Sequence, residues 1–130
     1  MGLFGRKTVY DEIKKLFIEK NTSIEGENPI TFQLSLNKYS LFPYITLNDN
    51  KDYSNISFMI NLRKANNDNY QLFNNINSFN MKSKYLVCKL NTDNILILEY
   101  NTIVNVDNVK PIINDIIESV FSLQEEIDLL

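Results

Sequence analysis

Few side chains of this 130-residue chain could do chemistry, and their spacing limits what they can do. The single cysteine, Cys88, lies in a run where Leu86, Cys88 and Leu90 alternate with Tyr85, Val87 and Lys89. The alternation puts the thiol on an apolar strand face, where burial raises its pKa and leaves it inert. One cysteine excludes an intramolecular disulfide and a multi-cysteine zinc site. The chain has no histidine, which removes Ser-His-Asp and Cys-His nucleophile systems and imidazole metal ligands. The glycines stand at positions 2, 5 and 26, so no glycine-rich phosphate loop lies beyond them. The segment Asn48-Asp-Asn-Lys-Asp52 is similar to part of a calcium loop. It lacks the glycine and the bidentate acid that such a loop needs, and its residues are those of an ordinary turn. No catalytic, cofactor-binding or metal-ligating residue is assigned, and a non-enzymatic protein is expected.

Lys82, Lys84, Tyr85 and Lys89 interleave base with aromatic in a way suited to single-stranded nucleic acid. With 13 basic side chains against 16 acidic, the chain carries a net −3, and no dominant basic patch forms. Nucleic acid is therefore not expected as a partner. Lysines on an exposed strand edge also discourage edge-to-edge aggregation. No run of 18 apolar residues exists, so no membrane helix is expected. The start of the chain has too short an apolar stretch for a signal peptide, and Arg6 stands where myristoylation wants Ser or Thr. A cytoplasmic location is expected. Asn supplies 20 residues and Ile 16, an excess that an AT-rich coding sequence produces.

The elements that must position these residues follow from period. The chain is long enough for one domain, 1–130, with 1–7 expected as a flexible lead-in. Thr8 and Asp11 form a capping-box start, and Ile13, Leu16 and Phe17 repeat at helical spacing over 8–20, with Asp11 and Lys15 as an i,i+4 pair. The helix ends near Asn21, and 22–28 reads as a loop. Ile30, Phe32, Leu34 and Leu36 alternate with polar residues, the pattern of a half-buried strand. A second strand over 41–47 carries Pro43, which favours an edge or a bulge. A turn at 48–53 and a third strand with Ile56, Phe58, Ile60 and Leu62 on one face complete an antiparallel meander. Leu72, Phe73, Ile76 and Phe79 form a helical stripe over 68–79. Strands over 84–90 and 95–100 flank a hairpin loop at 91–94, the second apolar on both faces and so expected to be covered on both. The fold class is α+β, a single domain of order αβββαββα, with a mainly antiparallel five-stranded sheet and a long C-terminal helix packed on it.

Asp107 or Asn108 caps that last helix, with Pro111 in its first turn. Val109, Ile113, Ile116, Val120, Leu123, Ile127 and Leu130 keep a 4-3-4-3 spacing, a heptad seam, and Ile112, Ile117 and Phe121 add a second apolar flank. Two readings stand side by side. The stripe packs on the sheet, or Ile113, Ile116, Val120, Leu123 and Ile127 form an interface for a second copy or another protein. Residues 107–130 hold one lysine against six acids. Glu118, Glu125 and Glu126 are the candidate acidic contacts to a basic partner, and the acids near 125–128 oppose the helix dipole.

This order of elements resembles the type III secretion chaperone-like fold shared by Tir-chaperone-type proteins and the YbjN family. In detail the chain is similar to the YbjN pattern: a helix ending Asn77-Ser-Phe-Asn80, the strand start Lys84-Tyr-Leu-Val87, a turn, an apolar strand and a terminal amphipathic helix from near Asn108. The order covers about 8–130 and the residue-level likeness about 72–125. Asp93-Asn94 stand where family members often carry a glycine, and the leucine- and glycine-rich lead-in of secretion chaperones is missing. The resemblance implies a non-enzymatic bacterial or phage protein, chaperone-like or regulatory, that binds another polypeptide. Secretion chaperones of this fold are commonly homodimers, so a homodimer is one expectation. The acidic terminal helix motivates an alternative, a phage or mobile-element inhibitor of a host enzyme.

Overall fold

The computed structural model describes residues 7–65 and 70–130. Expectations for 1–6 and for a helix start near 68 lie outside the described residues.

Helix α1 spans Val9–Glu19 and begins as its sequence requires. The Asp11 amide donates to Thr8 Oγ1 at 3.0 Å, and the Thr8 amide donates to Asp11 Oδ2 at 3.2 Å. Lys15 pairs with Glu12 at 3.1 Å, three residues back, rather than with Asp11. After the helix, Asn21 adopts a φ of 54°, the left-handed conformation that asparagine tolerates better than most residues.

Strands β1 (Ile24–Glu25), β2 (Ile30–Phe32), β5 (Tyr44–Asp49), β6 (Ser54–Lys64), β7 (Val87–Leu90) and β8 (Ile95–Val104) form one sheet in the order β1-β2-β5-β6-β8-β7. Every neighbouring pair is antiparallel. The sheet therefore has six strands, not five. The segment expected as a loop at 22–28 supplies β1, which pairs with β2 through Ile24 and Phe32.

The strands expected at 30–36 and 41–47 are each broken in two. Strands β3 (Leu34–Ser35) and β4 (Ser40–Leu41) leave the main sheet as a separate ribbon. Pro43 sits at the return between β4 and β5, where its missing N–H costs no ladder bond. The apolar alternation runs through the break because both pieces face the same core: Ile30, Phe32, Leu34 and Leu41 are all buried in it.

Cross-strand register fixes the two faces of the sheet. Ile45, Phe58 and Tyr100 share one face, as do Ile60, Leu98 and Cys88. Helix α2 (Tyr70–Lys82), helix α3 (Val109–Ser122) and α1 bury their apolar stripes in the core on this face. Phe17 of α1 stacks on Phe32 at 4.5 Å between ring centroids, and Phe32 meets Phe58 edge-on at 6.0 Å. Among the described residues the opposite face carries no helix. Strand β8 carries helices on one side, and its first half is buried in both phases, as expected: Leu96 and Leu98 on the helix side and Ile97 on the other. Ile97 is buried but does not join the helix-side core. Phe73 departs from its expected stripe as well: Leu72, Ile76 and Phe79 face the core, and Phe73 is exposed.

The C-terminal helix is not continuous. It breaks at Leu123, where φ is −104° and ψ 20°, and resumes as α4 (Gln124–Asp128). A straight α-helix drifts about 20° per heptad against a strict seven-residue repeat. The break resets that drift and returns Ile127 to the core. It also places Glu125 and Glu126 in the first turn of α4, so they sit at a favourable end of the dipole. Asn108 borders α3 but does not cap it with its side chain. Asn105 takes that part, its Oδ1 accepting the amides of Asp107 and Asn108 at 2.9 and 3.0 Å.

Ile113, Ile116 and Val120 have no exposed surface. Val120→Asp or Ile116→Asp, burying an unpaired carboxylate there, is expected to cost more than about 4 kcal/mol and abolish the cooperative urea transition followed by circular dichroism. Burial, the largest single influence, pushes the Asp11 carboxyl up, but its hydrogen bonds with Thr8 help to hold it, on balance, below its ordinary value. A carboxyl with a lowered folded-state pKa stabilises above its unfolded value, about 4, and that stability is lost as pH falls through the folded value. The stability difference between wild type and Asp11→Asn is therefore expected to narrow below pH about 4 in urea titrations.

Candidate functional site

The five residues proposed from sequence as an interface lie together, but inside the domain. Ile113, Ile116, Val120, Leu123 and Ile127 all belong to the core that α3 and α4 share with the sheet. Side chains so placed cannot reach a partner while the domain is folded. The physical reason is the one-layer architecture, in which the seam must cover the sheet. Of the acids, Glu118 is exposed on α3 and accepts from the Asn114 amide at 3.2 Å. Glu125 is exposed on α4, whereas Glu126 is half-buried and lies 3.7 Å from Lys82.

The basic cluster is likewise engaged. Lys89 pairs with Glu99 at 2.9 Å, and the Lys84 ammonium lies 5.3 Å from the Tyr85 ring centroid. The Tyr85 ring meets Tyr100 edge-on at 5.6 Å. Cys88 is buried, and burial pushes its thiol up to about 12, only partly offset by Arg63. Among the described residues no group of three or more His, Cys, Asp or Glu side chains could hold a metal ion.

Surface geometry instead singles out a groove at the β1–β2 end of the sheet. A cavity of about 610 Å³ is walled by Asn21–Ser23 after α1, by Glu25 and Thr31 of the first two strands, by Ser35 of the ribbon, and by Gln33 and Phe42 that flank the ribbon. A second cavity of about 400 Å³ shares Thr22, Gln33 and Ser35 with it and continues to Lys20, Ile117 and Phe121. The two form one trough between the end of α1, the ribbon and α3. Its walls offer amides and hydroxyls that can donate and accept. Gln33 Nε2 already donates to Ser40 Oγ at 2.9 Å, which fixes the amide across the ribbon.

Two aromatic side chains flank the trough. Phe42 is 68% exposed and Phe121 39%. Phe121 belongs to the second apolar flank read from the helix, and it is the part of that flank the sheet leaves uncovered. The rest of the groove was not found from sequence, although Phe42 carried a signal. In the run 41–47, Leu41, Ile45 and Leu47 take the core phase, which leaves a phenylalanine in the solvent phase at 42. Glu25 lines the first cavity and Lys20 the second.

A smaller cleft of about 120 Å³ lies between the ribbon and α4, lined by Asn37, Tyr39, Gln124 and Asp128. There the Asn37 amide donates to Gln124 Oε1 at 2.8 Å, and Lys38 pairs with Asp128 at 3.3 Å. These bonds clamp the ribbon onto the helix layer and so hold one wall of the groove. Burial, assisted by the Asp128 carboxylate, raises the Tyr39 hydroxyl above its ordinary value.

Because the thiolate is the reactive form and Cys88 is shielded, native protein at pH 8 is expected to react with Ellman's reagent at least tenfold more slowly than protein unfolded in urea. Equal rates would mean that β7 opens readily. Comparison with known proteins adds no relative, since no family model and no curated protein matches the chain.

Proposed function

We propose that this protein is a non-enzymatic interaction module, chaperone-like or regulatory, that binds a segment of another polypeptide in the groove between α1, the β3–β4 ribbon and α3. The observation that carries this reading is the pairing of a hydrogen-bonding trough with exposed Phe42 and Phe121 along it. Amides and hydroxyls such as Gln33, Thr22 and Ser35 suit a main chain in extended conformation, and phenylalanine rings suit its apolar side chains. Desolvated aromatics are the usual anchors of polypeptide interfaces. The likeness in element order to secretion chaperones and the YbjN family supports the same reading, and with it a bacterial or phage origin and a cytoplasmic site of action.

A second reading rests on the acidic surface. Asp115, Glu118 and Glu125 are exposed on α3 and α4, so an inhibitor of a host enzyme could present them to a basic site. It is the weaker reading, because Lys82 and Lys38 already pair with Glu126 and Asp128.

The groove reading is tested with wild type and a Phe42→Ala, Phe121→Ala double variant on an array of short peptides rich in leucine and phenylalanine. Both positions are exposed, so the melting transition is expected to hold while peptide affinity falls at least tenfold. Affinity unchanged in the double variant, or no binding by wild type, would overturn the reading. Binding through the acidic surface would instead weaken steeply with salt and with Glu118→Lys.

A further inference from the structure

The two cavities of the groove differ in charge and in floor. Among the described residues, Glu25 is the one charged side chain lining the first cavity and Lys20 the one lining the second. Both are exposed, and among the described residues neither makes an ion pair. Their neighbours are engaged elsewhere: Glu19 pairs with Lys110 at 2.6 Å, and Glu12 with Lys15 at 3.1 Å. A cation at the C-terminal end of α1 suits the helix dipole, which accounts for a base at position 20. Among the described residues no contact gives the Glu25 carboxylate a comparable role. Strand β1 pairs with β2 through its backbone, and Thr31 Oγ1 donates to the Glu25 carbonyl at 3.4 Å.

The second cavity reaches the core side chains Phe17, Leu34 and Ile117, with exposed Phe121 beside them. An apolar floor under one ammonium group suits a large apolar side chain next to a carboxylate. The first cavity is walled largely by amides and hydroxyls, around Phe42 and Glu25. A lysine or arginine suits that setting, because its stem can lie on an exposed ring while its charged head meets a carboxylate. Thr22, Gln33 and Ser35 line both cavities, so one main chain can pass between them and bond to the same groups.

We propose, on the groove reading above, that Lys20 and Glu25 set which polypeptide segment binds and which way round it lies. The segment is an extended stretch of another protein with an acidic residue beside a large apolar one in the second cavity and a lysine or arginine in the first. A segment laid the other way sets its acid against Glu25 and its base against Lys20, and that repulsion selects against it. The discrimination is electrostatic and solvent-exposed, so it is modest and screened by salt, whereas the apolar contacts with Phe42 and Phe121 are not screened.

The test is isothermal calorimetry of the whole chain with three peptides that share one core rich in leucine and phenylalanine. The first carries lysine at its amino end and aspartate at its carboxyl end, the second has these exchanged, and the third has glutamine and asparagine in their places. Wild type is expected to bind one charged order about three- to tenfold more tightly than the other, with the neutral peptide between them. The Lys20→Glu, Glu25→Lys double variant is expected to invert the ranking of the two charged peptides and to leave the neutral one unchanged. Lys20→Gln and Glu25→Gln, which remove charge without reversing it, are each expected to narrow the gap, and salt at about 0.5 M to close it. Both positions are exposed, so the melting transition of every variant is expected to hold. A ranking that the double variant leaves as it was would overturn the proposal. A neutral peptide that binds through Phe42 and Phe121 while the two charged orders tie would sink the proposal and spare the groove. Failure of all three peptides to bind wild type would sink both.

Discussion

Everything in this fold depends on one sheet face being buried under a single layer of helices. Six antiparallel strands present Ile45, Ile56, Phe58, Ile60 and Leu98 on that face, and α3 closes over them with Ile113, Ile116 and Val120 at no exposure. A fully buried aliphatic side chain contributes about 1.5–3 kcal/mol relative to exposure. A stripe of such residues therefore outweighs any contact α3 could make outward while the domain stays folded. That constraint fixes where α1, α2 and α4 can go: each fills space beside α3 on the same side. Among the described residues it leaves the other sheet face without a helix.

Asparagine does much of the work at the margins of the sheet. Asn28 donates to the Leu47 carbonyl at 2.7 Å and accepts its amide at 3.0 Å, so one side chain continues the β2–β5 ladder past its last backbone pair. Asn80 does the same for Cys88 at the outer edge of β7, with bonds of 3.0 and 2.7 Å. Asn91 accepts the amides of Asp93 and Ile95 at 2.9 Å to hold the β7–β8 turn, and Asn94 takes a φ of 59° there. The left-handed position that a glycine would fill is thus met by a residue that tolerates it. Leaving a buried backbone group unpaired costs about 1–3 kcal/mol. An asparagine excess produced by coding bias and one retained for such bonds are compatible, because the amide can be recruited wherever the backbone lacks a partner.

The parts of the fold legible in the sequence are those governed by one period over a long run. Thr8 and Asp11 marked the start of α1, the alternation from Ile56 marked β6, and Leu86, Cys88 and Leu90 marked the buried face of β7. What was not legible depended on a change of partner within an unchanged pattern. Alternation through Ile30, Phe32, Leu34 and Leu36 is the same whether the strand stays in one sheet or crosses to a ribbon, because only the neighbour changes. Strand β1, two residues long, is too short to show a period at all. The heptad from Val109 to Leu130 marked a buried seam without saying what buried it, and a self-associating helix and a helix laid on its own sheet write the same spacing. The groove escaped for a related reason: Thr22, Gln33, Phe42 and Phe121 are far apart in the chain, and only the turn of the ribbon over α3 brings them together.

The two outward surfaces follow from a single asymmetry in how charge and apolar area are divided. The helix layer buries most of its aliphatic residues, and its outer side mixes Asp115, Glu118 and Glu125 with lysines such as Lys14 and Lys82 and with exposed Ile18, Phe73 and Met81. The strands alternate, so their outer side keeps whatever the second phase holds: Tyr44, Met59, Val87 and Ile103 among Ser, Thr and Asn. Like charges some 8–10 Å apart at the surface are damped by physiological salt but not abolished. Repulsion between the exposed acids of α3 and α4 therefore persists in salt, while exposed apolar side chains stand on both sides of the sheet, Val87 and Ile103 on one and Phe73 and Met81 on the other. Strand alternation thus sets which residues face outward from the sheet, and the helices that its other phase requires set the rest of the surface.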